Sequence, residues 1–159
     1  MRLLKAGDVF QFPAPDGRHG IGQIARGGDV MWIVIFRDLF AELPTPEDLR
    51  VRDMLLSAWT TDALFFHERW AVFDNYPVEE YRIPRPSYVI QQDGQFFVES
   101  FDGSEFRPAK QHDLDLLKYR FSVSPITLQD ALFAHHGFDS WNPHYDESTV
   151  EAAWKWTPV

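Results

Sequence analysis

Val30 to Phe36 reads VMWIVIF, seven apolar residues in succession, directly after the glycine turn RGGD at Arg26 to Asp29. Successive side chains of a strand point to opposite faces, so a strand that is apolar at every position must be covered on both. This run is therefore a central strand, and the fold must supply it with two roofs. Ile21 to Ala25, on the other side of RGGD, pairs with it as a hairpin. Upstream, Val9 to Phe12 reads as a short strand stopped by Pro13, and PAPDGRHG carries the proline, Asp-Gly and glycine of a turn.

Downstream, Thr45 is placed to cap a short helix with Pro46 in first position and Glu47 and Asp48 in the first turn. MLLSAW reads as a strand, TTDALFFHERW as a brief helix capped by Thr61, and Trp70 to Phe73 as another strand. SYVIQQDGQFFVESFDGSEFRP, with Asp-Gly at Asp93-Gly94 and Asp102-Gly103, predicts a three-stranded antiparallel meander. LLKYRFSV reads as a strand. SPITLQDALFAHHG is the clearest helix, with Ser124 at the cap, Pro125 first, and Gly137 beyond the end. Ile126, Leu128, Ala131, Leu132 and His135 form its inward stripe. The tail admits either a short helix at Ser148 to Trp156 or a docked strand.

The fold class expected is α+β. It is β-rich, a twisted antiparallel sheet or partial barrel with one clear helix in the C-terminal half and one or two short helices. One domain is expected over 1–159, with 138–159 a less regular tail. The aromatic content agrees, since 14 Phe, 6 Trp and 5 Tyr suit pleated, half-buried surfaces.

Charge narrows the partner. Asp plus Glu number 24 against 15 Lys plus Arg, a formal net charge of −9, which disfavours a phosphate backbone and favours a basic protein. The absence of cysteine removes disulfides, thiolate catalysis and thiolate metal sites, and suits a reducing compartment. No apolar stretch reaches the length of a membrane span, and the N-terminal run is short for a signal peptide, so a soluble cytoplasmic protein without membrane contact is expected.

GIGQIA matches G-x-G-x-x-A, but a strand follows where the dinucleotide mechanism needs a helix. His67-Glu68 opens like a zinc-protease helix, yet Ala71 stands where the second histidine belongs. His135, His136, Asp139, His144, Asp146 and Glu147 offer metal donors, but adjacent helical histidines point about 100° apart. A helix C-terminus favouring His against the dipole is the competing explanation. No nucleophile elbow accompanies the serines. The residues thus predict no enzyme, no cofactor and no metal.

KAGDVFQFPAPDGRHGIGQI resembles the opening of the immunity protein 26 family of bacterial polymorphic toxin systems. Gly7-Asp8-Val9-Phe10, Pro13, Asp16-Gly17, Gly20 and Gly22 carry the likeness. FRDLF, the Trp70 strand and DNYP follow in similar order, so the resemblance extends from Leu4 to about His136. It implies a non-catalytic cytoplasmic inhibitor that neutralises a cognate toxin by direct contact. The alternatives are a small-ligand-binding or regulatory β-barrel module, and a metal-dependent hydrolase built around His135 to His144. The residues expected to meet a basic toxin domain are Glu79, Glu80, Asp93, Asp102, Glu105, Asp139, Trp141, Tyr145, Asp146 and Glu147.

Overall fold

The computed structural model describes residues 3–158. The chain opens with β1 (Asp8–Pro13), β2 (His19–Arg26) and β3 (Met31–Phe36), then α1 (Pro46–Arg50), β4 (Met54–Thr60), α2 (Ala63–Phe66) and β5 (Ala71–Asn75). A 3-10 turn at Glu80–Arg82 leads into a meander of β6 (Tyr88–Gln92), β7 (Gln95–Glu99) and β8 (Phe106–Pro108). Then come α3 (Gln111–Leu116), β9 (Ser122–Val123), α4 (Pro125–His135), a second 3-10 turn (Pro143–Ser148) and α5 (Val150–Lys155). The main sheet has the order β5-β1-β2-β3-β4-β9, and the meander forms a separate three-stranded sheet.

Every residue of β3 is at most 3% exposed, and its two faces belong to two different cores. Met31, Ile33 and Ile35 pack with Phe10, Phe12 and Trp70 under Leu64 and Phe65 of α2 and Leu128 and Leu132 of α4. Trp32, Val34 and Phe36 pack with Leu49 of α1, Ile83, Tyr88 of β6 and Ala153 of α5. The continuous apolar run is thus explained by an antiparallel sheet that is covered on both sides, an arrangement more usual for parallel sheets.

Pairing of β1 with β2 sets Phe10 opposite Gly22 and Phe12 opposite Gly20. A Cβ on Gly20 would stand 2.2 Å from the Phe12 ring, and one on Gly22 would stand 2.3 Å from the Phe10 ring. The glycines of GIGQIA therefore let two phenyl rings lie against the neighbouring strand. Trp70 stacks on both rings, with centroids at 4.7 Å from Phe10 and 5.3 Å from Phe12. Its indole N–H donates to Gln129 Oε1 at 3.0 Å, tying this stack to α4.

Register shifts in β2, β4 and β5 leave Ala25, Leu55 and Phe73 as extra residues. Such bulges bend a strand and increase its twist. The sheet nevertheless stays open between β5 and β9, so the described strands form a twisted open sheet and not a barrel. Among the described residues, no helix is long and apolar enough to cross a membrane.

Local expectations fare unevenly. Thr45 caps α1 with a full capping box: its hydroxyl accepts from Asp48 N, and the Asp48 carboxylate accepts from Thr45 N. In α2 the capping position falls on Asp62 instead of Thr61, and no side-chain capping bond forms. In α4, Leu128, Ala131 and Leu132 are buried, but Ile126 and His135 are exposed, with Pro125 and Ala134 buried instead. LLKYRFSV is not one strand. Its start ends α3, because Asp113 accepts from Lys110 N at 2.8 Å and receives the Arg107 fork at 2.8 and 2.9 Å, fixing a helical turn there. Ser122–Val123 pairs parallel to β4 and Tyr119 makes a lone parallel bridge to Val89, which the antiparallel expectation missed. The tail takes the helical alternative: Thr149, which makes a lone bridge to Leu56 of β4, caps α5 by accepting from Ala152 N.

Two outcomes are expected. Gly20→Ala should lower the unfolding free energy by about 1–3 kcal/mol in urea denaturation, with a smaller loss in a Phe12→Leu background. Additive losses would show that the ring is not what the methyl meets. The Arg107 fork and the Lys110 N–H hold the Asp113 carboxyl well below its usual range. Its contribution should be complete above the ordinary value of 3.8 and vanish only as pH falls through the lower folded value. Asp113→Asn should cost about 1–3 kcal/mol at neutral pH, read from the same unfolding curves.

Candidate functional site

The C-terminal quarter carries the best-formed polar and aromatic surface. Gly137, at φ +83, lets the chain leave α4 through the left-handed region that L residues avoid. Asn142 then caps the second 3-10 turn, its carbonyl oxygen accepting from His144 N at 3.0 Å. This turn stands Trp141 edge-on to Tyr145, centroids 5.2 Å apart, while the Trp141 indole N–H donates to Asp146 Oδ1 at 2.8 Å. Tyr145 is half-buried against the first core, and Trp141 is 37% exposed.

Three carboxylates surround this pair. Partial burial, and then the negative charges of Asp130 and Asp139, raise the Tyr145 hydroxyl above its ordinary value. Burial and then Asp139 do the same for Asp130, so these two acids lie close enough to repel. Asp146 joins them through Trp141. Among the described residues, none of the three makes an ion pair with a Lys, Arg or His. The patch is an uncompensated negative surface with a preset aromatic centre. Asp130, half-buried on α4 beside the Leu128, Ala131 and Leu132 stripe, carries no signal in the sequence that sets it apart.

The other predicted contacts lie elsewhere. Glu80, Asp102 and Glu105 line a cleft of about 460 Å³ together with Arg26 and Arg85, so their field is offset by cations. Asp102 also builds its own turn: the Ser104 hydroxyl, then the Ser104 N–H and the Ser100 hydroxyl, pull its carboxyl down to about 2. Glu79 is half-buried between Arg50 at 3.1 Å and Arg82 at 3.4 Å and accepts from the Tyr81 hydroxyl, which makes it a brace. Asp93 sits at φ +53 in the β6–β7 hairpin tip, and Glu147 faces Lys118 at 3.9 Å. The structure thus brings together Asp139, Trp141, Tyr145 and Asp146, and separates them in chemistry from the remaining six.

The candidate metal donors are dispersed by their hydrogen bonds. His136 Nε2 lies 2.6 Å from the Arg37 carbonyl oxygen, to which it donates, and His135 is exposed with its ring edge-on to His136. Partial burial, then the charges of His136 and Arg37, lower the His135 imidazole below its ordinary value. Among the described residues, no three His, Asp or Glu are gathered as a ligand set. Buried Ser57 donates to the Ile33 carbonyl, a strand-to-strand tie.

On the opposite side of the sheet from α4, the Trp59 indole N–H donates to the Tyr88 hydroxyl, and the Arg120 guanidinium lies 4.5 Å from the Trp59 ring centre. Burial pushes the Tyr88 hydroxyl up to about 12, which keeps it a neutral acceptor at any physiological pH.

Compared with protein-family models, curated proteins and solved structures, the chain has no match.

In a carboxylate titration followed by NMR, Asp102 should show a midpoint near 2, and Ser104→Ala should move it toward the ordinary value of 3.8. The folded value is depressed, so the turn is held above the ordinary value and loosens only as pH falls through about 2. An unchanged midpoint in Ser104→Ala would refute the hydroxyl's part.

Proposed function

We propose that this protein is a cytoplasmic immunity protein that binds and neutralises a cognate bacterial toxin by direct contact. Two lines support the reading. The resemblance of Gly7 to Gly22 to the immunity protein 26 family supplies the biological role, and the patch around Trp141 and Tyr145 supplies a surface suited to a basic partner. The observation that carries it is this patch, where Asp130, Asp139 and Asp146 stand unpaired around two rings held in fixed contact.

The physical roles divide cleanly. A net charge of −9 steers a basic toxin domain toward the surface and speeds encounter. Trp141 and Tyr145 are large, already oriented anchors, so little side-chain freedom is lost when a partner covers them, and residence is prolonged. Inhibition then follows from occlusion of the toxin surface beneath the patch.

Co-expression with the product of the toxin-like gene beside its own, scored by survival and co-purification, tests the role. Rescue with a stable complex is expected; no rescue and no complex would overturn it. Within such a complex, Trp141→Ala should weaken binding by roughly 30-fold, about 2 kcal/mol. Asp139→Lys with Asp146→Lys should slow association most strongly at low salt. Unchanged affinity and rate in both variants would show that another face makes the contact.

A further inference from the structure

We propose that the crevice walled by Val30, Trp59, Arg120, Phe121 and Ser122 binds a carboxylate carried on a small aromatic or branched apolar group. The crevice has a volume of about 290 Å³, near the lower end for small-ligand sites, and its walls are mainly apolar. The one charge among its wall residues is positive, in a chain where acids outnumber bases 24 to 15.

Arg120 is held for such a task. Its guanidinium lies 4.5 Å from the centre of the Trp59 ring and 5.4 Å from that of Tyr88, so two ring faces fix it. Trp59 is itself fixed by its hydrogen bond to the Tyr88 hydroxyl. Arg18, Arg50, Arg52, Arg82 and Arg107 each grip a carboxylate. Among the described residues, Arg120 has neither a hydrogen-bond nor an ion-pair partner, and its planar fork of donors matches a carboxylate in two parallel bonds.

A second void adjoins the crevice. Behind the shared walls of Trp59 and Phe121 is a smaller void of about 10 Å³, also lined by Trp32. Trp32 is 3% exposed, and its indole Nε1 is buried without a hydrogen-bond partner. Glu147 also lines the void, but Lys118 at 3.9 Å offsets its charge. The site therefore offers an aromatic floor and a guanidinium fork. Its sign is opposite to that of the Trp141 patch, and it does not depend on the toxin reading.

The carboxylate can belong to a free small molecule or to the C-terminus of another chain ending in an apolar residue. Phenylacetate, phenylacetamide and the free-acid tripeptide acetyl-Ala-Ala-Phe, each titrated into the intact protein, separate these sources. Calorimetry and the indole N–H signals of an ¹H–¹⁵N spectrum supply the readout, with Trp59 assigned from Trp59→Phe. Phenylacetate should bind saturably and move the Trp59 signal, at least about tenfold more tightly than the amide. Binding by the tripeptide and not by phenylacetate would support the same site with a chain terminus as its ligand. Arg120→Gln should weaken binding about tenfold with an unchanged melting temperature, and Arg120→Lys should fall between. No saturable binding by either acid, equal binding of acid and amide, or an Arg120→Gln protein that melts normally and binds normally would overturn the proposal.

Discussion

β3 places alternate side chains in two separate cores, and each core needs a roof that the strands themselves cannot provide. One roof is α2 with α4; the other is α1, the Ile83 segment, β6 and α5. Covering a Phe, Ile, Leu or Val side chain fully is worth about 1.5–3 kcal/mol, so leaving either face of β3 open would forfeit several such contributions. The positions of α1, α2, β6, α4 and α5 follow from this requirement. It also explains why a chain with only 159 residues commits its last helix, far in sequence, to the back of a strand near its beginning.

The same constraint shapes the surface. Because α4 lies on one face with Leu128, Ala131 and Leu132 inward, its polar side is free to hold Asp130 outward, and the chain that leaves it at Gly137 folds back beside that side. Trp141, Tyr145, Asp139 and Asp146 acquire a common address in this way. Elsewhere the segment leading into β9 lays Arg120 over Trp59 of β4, so a member of the second core also walls a crevice.

Much of the frame was legible because its signals are local. The capping box at Thr45, the Asp-Gly turns of the meander and the alternating or continuous apolar runs act within a few residues, so their chemistry is visible in a short window. The errors fall where distant groups decide. Asp113 turns LLKYRFSV toward helix because Arg107 reaches it from β8, and His135 is exposed because the last turn of α4 buries Leu132 and Ala134 instead. The ten predicted contact residues were chosen by type; only distance could tell that Glu79 is spent on Arg50 and Arg82 while Asp146 holds an indole in place.

The amino-acid order by itself determined the central strand, its hairpin partner, the meander, the clearest helix and the acidic surplus, because periodicity, turn chemistry and charge are properties of neighbours along the chain. Tertiary structure alone decided that the sheet stays open, that Gly20 and Gly22 receive phenyl rings, which carboxylates remain uncompensated, and that Arg120 meets Trp59 and Tyr88. These outcomes depend on which surfaces come together across long stretches of chain, where packing and paired charges compete and the closest partner prevails.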